Sequence, residues 1–309
     1  RLDEKCLGPR GPICAGCQHP IVPATGRWVP RNPQSRWGEG YWINHLMVPW
    51  VSYPELLAKQ AIYDPALFRN ECLGLSTFLG DHIVTRAEVE ACCTPRPMAR
   101  ALGDIPQRLR GQLVAGIDWS GGGRSGRSRT VLVLGAIEPP HTFVVYRLER
   151  FAAHEDPGQV AHQVAQRCRE FAVRLIAADG LGNGSVYNPL LLDQLGPPLA
   201  GLYAVAYGTA DQPPRHYQGR YWNWMIGRTP SIGMLMSNIK KRWIQLPQKE
   251  ECGSFLDEIC CEVAEYDDAS RSMKYTHAEN QPDDTLHALN YAATAAFYQV
   301  SARATSSAF

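Results

Sequence analysis

Two short apolar runs in this chain each end on an aspartate, and that pairing limits its possible folds more than any other feature. Leu113-Val114-Ala115-Gly116-Ile117-Asp118 and Val173-Arg174-Leu175-Ile176-Ala177-Ala178-Asp179 have the length and composition of buried strands. A carboxylate carried into such a place without a partner costs several kcal/mol. If the two strands are neighbours in one sheet, their acids approach and repel, and a divalent cation resolves the repulsion. All-oxygen ligands favour Mg²⁺ or Mn²⁺. A third contribution is available from Asp283-Asp284, which follow Pro282 and open a helix reading Thr285-Leu286-His287-Ala288-Leu289-Asn290-Tyr291-Ala292. Each feature alone has a plainer explanation: a strand-end Asp is commonly a turn-former, and acids at a helix start are favoured by the macrodipole. Three of them, each at the edge of a suitable element, point to a metal site. His287 lies one helical turn beyond Asp283 and either faces that site or is a satisfied, partly buried histidine; the second reading is preferred.

The elements around these acids predict an α/β fold. Thr130–Ile137 and Thr142–Leu148 follow the first run as strands at antiparallel spacing. Asp156-Pro157 opens a helix through Phe171 with Val160 and Val164 on one face; a helix around Leu190–Leu195 and a strand Leu202–Ala206 come after Asp179. Hairpin strands followed by strands alternating with helices give a mixed sheet with helices on its faces. Upstream, Ser52 before Pro54-Glu55 reads as the N-cap of a helix carrying Leu56, Leu57 and Ile62. Asp64-Pro65 starts another helix, and Thr85 with Glu88 matches a capping box. The divisions expected are a Cys-containing segment over 1–40, a helical connector over 41–108 and the α/β domain over 109–309.

With 45% hydrophobic and 20% charged residues, a large core is available. Thirty-one basic and 30 acidic residues leave a net charge of +1, so contact with nucleic acid has to come from a local patch. No apolar run is long enough for a membrane span, and no secretory leader is visible. The ten cysteines are too scattered in too long a chain for a secreted disulfide framework, which argues for reduced thiols in the cytosol. Cys14-x-x-Cys17 is half of a zinc-ribbon signature. Cys6, Cys14, Cys17 and His19 form a possible improvised structural Zn²⁺ site, with unliganded thiols as the alternative. The chain begins at Arg1 without an initiator methionine, as a fragment of something longer would.

Three segments carry a resemblance: Gly116-Ile117-Asp118; Asp179-Gly180-Leu181-Gly182-Asn183-Gly184-Ser185-Val186; and Asp283-Asp284 through Ala292. They look like the three acidic motifs of the nuclease domain of tailed-phage terminase large subunits. Cys14-Ala15-Gly16-Cys17, Gly26-Arg27-Trp28-Val29-Pro30, Gly40-Tyr41-Trp42-Ile43-Asn44 and Pro49-Trp50-Val51-Ser52 are similar to the region between motor and nuclease in the lambda-like branch. The resemblance implies an RNase H-like fold and a metal-dependent endonuclease cleaving double-stranded DNA during viral genome packaging in the host cytoplasm. Its implied partners are the phage portal or procapsid and the small terminase subunit. It also implies hydrolysis with two ions roughly 3.5–4 Å apart, one activating water and one at the leaving oxygen. Asp118 would then bridge, Asp179 serve one ion, and Asp283 or Asp284 the other.

Under that reading, Arg124, Arg127 and Arg129 among the glycines after Asp118, and Lys240-Lys241-Arg242, are candidates to hold DNA phosphates. A solvated loop and an ordinary helix surface are the alternatives. Trp222 and Trp224 read as core or lid. No G-x-x-x-x-G-K-[ST] phosphate loop is present, so no ATPase motor is expected in these residues. Gly180-x-Gly182-x-Gly184 does not have dinucleotide-fingerprint spacing. Rival readings are another RNase H-like nuclease, such as a Holliday-junction resolvase or transposase core, and a non-catalytic DNA-binding or docking module.

Overall fold

The computed structural model describes residues 2–27, 43–63, 65–75, 83–119, 129–151, 156–195, 201–217, 220–267, 272–277 and 281–306. The chain divides into two compact units, Arg1–Leu79 and Gly80–Phe309.

The first unit contains helices α1 (Tyr53–Ile62) and α2 (Pro65–Glu71). Ser52 caps α1, its hydroxyl accepting from the Glu55 amide at 3.3 Å, as Ser followed by Pro-Glu predicts. Leu56, Phe68, Cys72, Leu73 and Leu75 bury themselves with Cys6 and Leu46 in a small core. Ile62, at the end of α1, is exposed.

The second unit opens with α3 (Arg86–Glu90). Its capping box closes as predicted, with Glu88 N donating to Thr85 Oγ1 at 3.2 Å and Thr85 N donating to Glu88 Oε2 at 2.7 Å. Next come β1 (Val114–Asp118), β2 (Val131–Glu138), β3 (Thr142–Arg150), α4 (Pro157–Glu170), β4 (Leu175–Asp179), α5 (Gly184–Leu195) and β5 (Gly201–Gly208). They are followed by β6 (Arg215–Tyr217), β7 (Tyr221–Gly227), α6 (Arg228–Lys240), β8 (Ile244–Gln245), α7 (Lys249–Ile259), β9 (Val263–Asp267), β10 (Ser272–Thr276) and α8 (Asp284–Ser306).

One mixed sheet runs β6-β7-β5-β4-β1-β2-β3-β8, and β9 with β10 forms a separate hairpin. The β1–β2–β3 meander is antiparallel, while β4 lies parallel to β1 and β5 parallel to β4. Three antiparallel strands extended by parallel strands, with helical crossovers between them, are the arrangement of an RNase H-like sheet. Side-chain alternation assigns the two faces. Ala115, Ile117, Ile176 and Ala178 pack with Val160, Val164, Tyr187 and Leu191 of α4 and α5. Val114, Leu175 and Ala177 face the other way, into a core shared with α6, α7 and α8.

Candidate metal centre

The same alternation determines where the strand-end acids point. Asp118 is two residues beyond Gly116 and four beyond Val114, so it shares their face. Asp179 shares the face of Ala177 and Leu175. Ile117 pairs with Ala178 in the parallel register, so the two aspartates end adjacent strands side by side on the α8 face. Helix α8 packs across β1, β2 and β4 and brings its first turn over those strand ends.

The tips are held by backbone and side-chain donors. Asp179 Oδ1 accepts from Leu181 N at 3.2 Å, and its carbonyl accepts from Asn188 Nδ2 at 2.9 Å. Asn188 is buried, takes a 2.9 Å bond from Trp119 Nε1, and Trp119 stacks on Tyr187 with ring centroids 4.7 Å apart. Gly184 is needed here, because a Cβ on it would stand 2.0 Å from the Asp179 carbonyl oxygen. Asp284, 5% exposed, accepts the Arg129 amide at 2.9 Å. Asp283 Oδ2 lies 2.7 Å from His287 Nε2 and 3.3 Å from His277 Nδ1. Tyr207 Oη lies 2.9 Å from His287 Nδ1 and accepts from Asn290 Nδ2 at 3.0 Å. His287 is therefore both a satisfied, partly buried histidine and a resident of the site.

Two further acids belong to this region and had no motif to announce them. Glu258 of α7 accepts the Thr285 amide at 3.0 Å and the Thr285 hydroxyl, and pairs with Arg150 at 2.8 Å. It caps the start of α8 from a position 27 residues upstream. Glu262, 1% exposed, takes Arg228 on Oε1 at 2.5 Å, while its Oε2 has no hydrogen-bond partner among the described residues. The one sequence signal was an acid beside the apolar stripe Cys252, Leu256, Ile259 of α7.

The electrostatics are those of a crowded anionic site. Burial, and then the carboxylates of Asp284, Asp179, Asp283 and Glu258, push Asp118 well above the usual carboxylate range. Burial also raises Asp179, against the opposing pull of the Leu181 amide, the charge of His287 and the Gly180 amide. Burial acts upward on Asp283 too, but the hydrogen bond and charge of His287, with the charge of His277, bring it below its ordinary value.

Glu262, Asp283 and His287 each offer one ligand atom within 4.8 Å of the others. Among the described residues, Asp118, Asp179 and Asp284 do not close into a group of three at that spacing. The donor set fits a divalent cation: it is rich in oxygen, it contains a buried orphan oxygen on Glu262, and neighbouring carboxylates raise the proton affinity of Asp118.

The other sequence candidates fall elsewhere. Arg124 and Arg127 lie outside the described residues, while Arg129 is exposed. Lys240 is the last residue of α6, and Lys241 and Arg242 follow it; Lys241 Nζ sits 5.2 Å from the Trp243 ring. Phe143 N donates to Trp243 O at 2.8 Å, and Phe143 pairs with Ile137, whereas Asp118 pairs with Val131. Six strand residues, about 20 Å, thus separate the basic cluster's end of the sheet from the acids. It does not flank them. Trp224 is core, as read, while Trp222 stacks on Tyr203 at 6.1 Å. Cys6, Cys14, Cys17 and His19 do not close into a ligand group among the described residues. Cys6 is buried in the first unit's core, and the His19 ring is turned to the Cys17 carbonyl at 3.1 Å. The zinc expectation finds no support.

No protein-family model matches the chain, and no curated protein matches it. Solved structures do. It is similar to the nuclease domain of the large terminase subunit of bacterial virus Sf6, at 13% identity over 68% of this chain and 97% of that one, with a TM-score of 0.48. A second is the large terminase nuclease of thermophilic phage G20c with bound magnesium, at 14% identity over 68% and 96%, TM-score 0.42. A third is the large terminase of bacteriophage HK97, at 12% identity over 81% of this chain and 51% of that one, TM-score 0.45.

Proposed function

We propose that this chain carries a metal-dependent endonuclease that cuts double-stranded DNA during viral genome packaging, with the chemistry in residues 109–309. The observation that supports it most is the side-by-side placing of Asp118 and Asp179 on the face covered by the acidic start of α8. A pair of divalent cations held by Asp118, Asp179, Asp283 and Asp284 would supply Lewis acidity, activating water and neutralising charge on the phosphate.

The chain's own groups organise the rest. Asp118, the most crowded acid, is central and would be shared. The Leu181 amide fixes Oδ1 of Asp179. The Arg129 amide holds Oδ2 of Asp284. Glu258, anchored by Arg150, holds the first turn of α8 in register with the strand ends. His287 orients Asp283 through the 2.7 Å contact at Nε2. By this reading the protein acts in the host cytoplasm with the portal and the small terminase subunit as partners, its motor lying in other residues.

The test is supercoiled plasmid incubated with the protein and Mn²⁺, alongside Asp118→Ala. Nicked and linear DNA with the wild type and none with the variant supports the nuclease. Plasmid left supercoiled by both, with retained binding, supports a DNA-binding module instead.

A further inference from the structure

Glu262, Asp283 and His287 bring two carboxylates and an imidazole to one point, at a spacing that a single ion can span. Donor atoms held about 2.0–2.2 Å from one cation stand about 3 Å apart when at right angles. His287 Nε2 and Asp283 Oδ2 are 2.7 Å apart, a hydrogen bond whose proton a cation would replace at nearly that spacing. His287 lies in the first turn of α8 and Asp283 immediately precedes it, its carbonyl accepting the His287 amide at 3.2 Å, so the helix start fixes their relative position. Glu262 reaches in from the residue before β9 with its side chain fully buried.

The independent observation is Glu262 Oε2. It is buried and without a hydrogen-bond partner among the described residues, while Oε1 is held by Arg228. Arg228 is fixed in turn by the Tyr275 carbonyl. The guanidinium thus anchors one oxygen, and the other is buried without a hydrogen-bond partner among the described residues. A buried carboxylate oxygen left bare is costly unless something binds there. His287 is oriented as a ligand would be: its far nitrogen, Nδ1, contacts Tyr207, which Asn290 holds while also reaching Ser231 Oγ at 3.1 Å. His277 Nδ1 stands 3.8 Å from Glu262 Oε1 and 3.3 Å from Asp283.

We propose that Glu262, Asp283 and His287 form a nitrogen-containing cation position that takes a first-row transition ion in preference to Mg²⁺. Imidazole suits transition ions, whereas Mg²⁺ favours carboxylate and water. This deepens the nuclease reading, because Asp283 belongs to both sets, and it makes one metal position chemically different from that at Asp118 and Asp179.

The experiment uses the full chain stripped of metal and titrated with Co²⁺ and with Mg²⁺, read by calorimetry and by the visible absorption of Co²⁺. Wild type, His287→Ala, Glu262→Gln and Asp118→Asn are compared. Wild type is expected to bind one Co²⁺ at least about tenfold more tightly than Mg²⁺. His287→Ala should lose that advantage and change the Co²⁺ spectrum. Glu262→Gln, which keeps side-chain length, should also weaken Co²⁺ and decides the matter if His287→Ala fails to fold. Equal affinities for the two ions in wild type, or an unchanged Co²⁺ isotherm and spectrum in a folded His287→Ala, overturn the proposal. Plasmid cleavage by the same samples separates the two ideas. Co²⁺ preference without cleavage by wild type sinks the nuclease reading alone, and cleavage without Co²⁺ preference sinks the mixed-ligand position alone.

Discussion

Gly116 lies directly against Ala288: a Cβ on Gly116 would stand 2.0 Å from the Ala288 carbonyl oxygen and 2.6 Å from the Ala292 amide. The missing side chain lets α8 rest on the backbone of β1, and this lowers Asp283 and Asp284 to the level of Asp118. Neither contact atom is the end of a flexible side chain, so the helix itself has to move if the space is filled. Gly116→Ala is therefore expected to destabilise the protein by about 1–3 kcal/mol. Divalent metal should also lose its ability to raise the melting temperature, because the acids separate. Thermal unfolding with and without Mn²⁺ checks both, and an unaltered metal response would show that α8 does not set the spacing.

Asp118 gives a pH prediction whose sign is fixed. Its folded-state pKa is raised by burial and by neighbouring carboxylates. Its contribution to stability is therefore complete below its unfolded value of about 3.9, and is lost as pH rises through the raised folded value. Without metal, Asp118→Asn should be more stable than wild type near neutral pH, and the gap should shrink toward acid. Denaturant unfolding of both proteins from about pH 4 to about pH 8 measures the difference directly. A wild type more stable than the variant at neutral pH in chelator would contradict the crowding.

Glu258 caps α8 through Thr285 and pairs with Arg150. Glu258→Ala removes the cap of α8 and leaves Arg150 without its carboxylate, a loss on the order of 3 kcal/mol. Arg150→Ala should cost a comparable amount, and the double variant less than the sum of the two. A double-mutant cycle in urea provides the coupling. Strict additivity would mean the pair does not act as a unit.

The Lys240-Lys241-Arg242 cluster stands at the far end of the sheet from the acids. Neutralising all three is expected to weaken DNA binding and flatten its salt dependence while leaving the cutting rate at saturating DNA unchanged. Filter binding across a salt series, paired with cleavage rates, separates the two effects. A lower saturated rate would place these residues at the scissile bond.

Both strand-end aspartates were legible in the sequence because each terminates an apolar run, and strand parity alone then puts them on one face. Ser52 and the Thr85–Glu88 box were legible for the same reason, since both are local chemistry. Glu258 and Glu262 were not. Their partners Arg150, Thr285, Arg228 and Asp283 lie far along the chain, and no spacing rule connects them. The Tyr-Trp-Asn-Trp stretch reads as core or lid and is strand β7, with Trp224 inward in the core and Trp222 against His216 at 3.6 Å. The cysteine pair illustrates the opposite risk: Cys14 and Cys17 have ligand spacing, yet Cys6 is spent on packing.

Anomalous diffraction from crystals soaked in Mn²⁺ addresses the metal centre most directly. Strong peaks should appear between the ends of β1 and β4 and the first turn of α8, within bonding distance of Asp118. A well-ordered site in which those carboxylates attract no manganese, even at saturating soak, would contradict it.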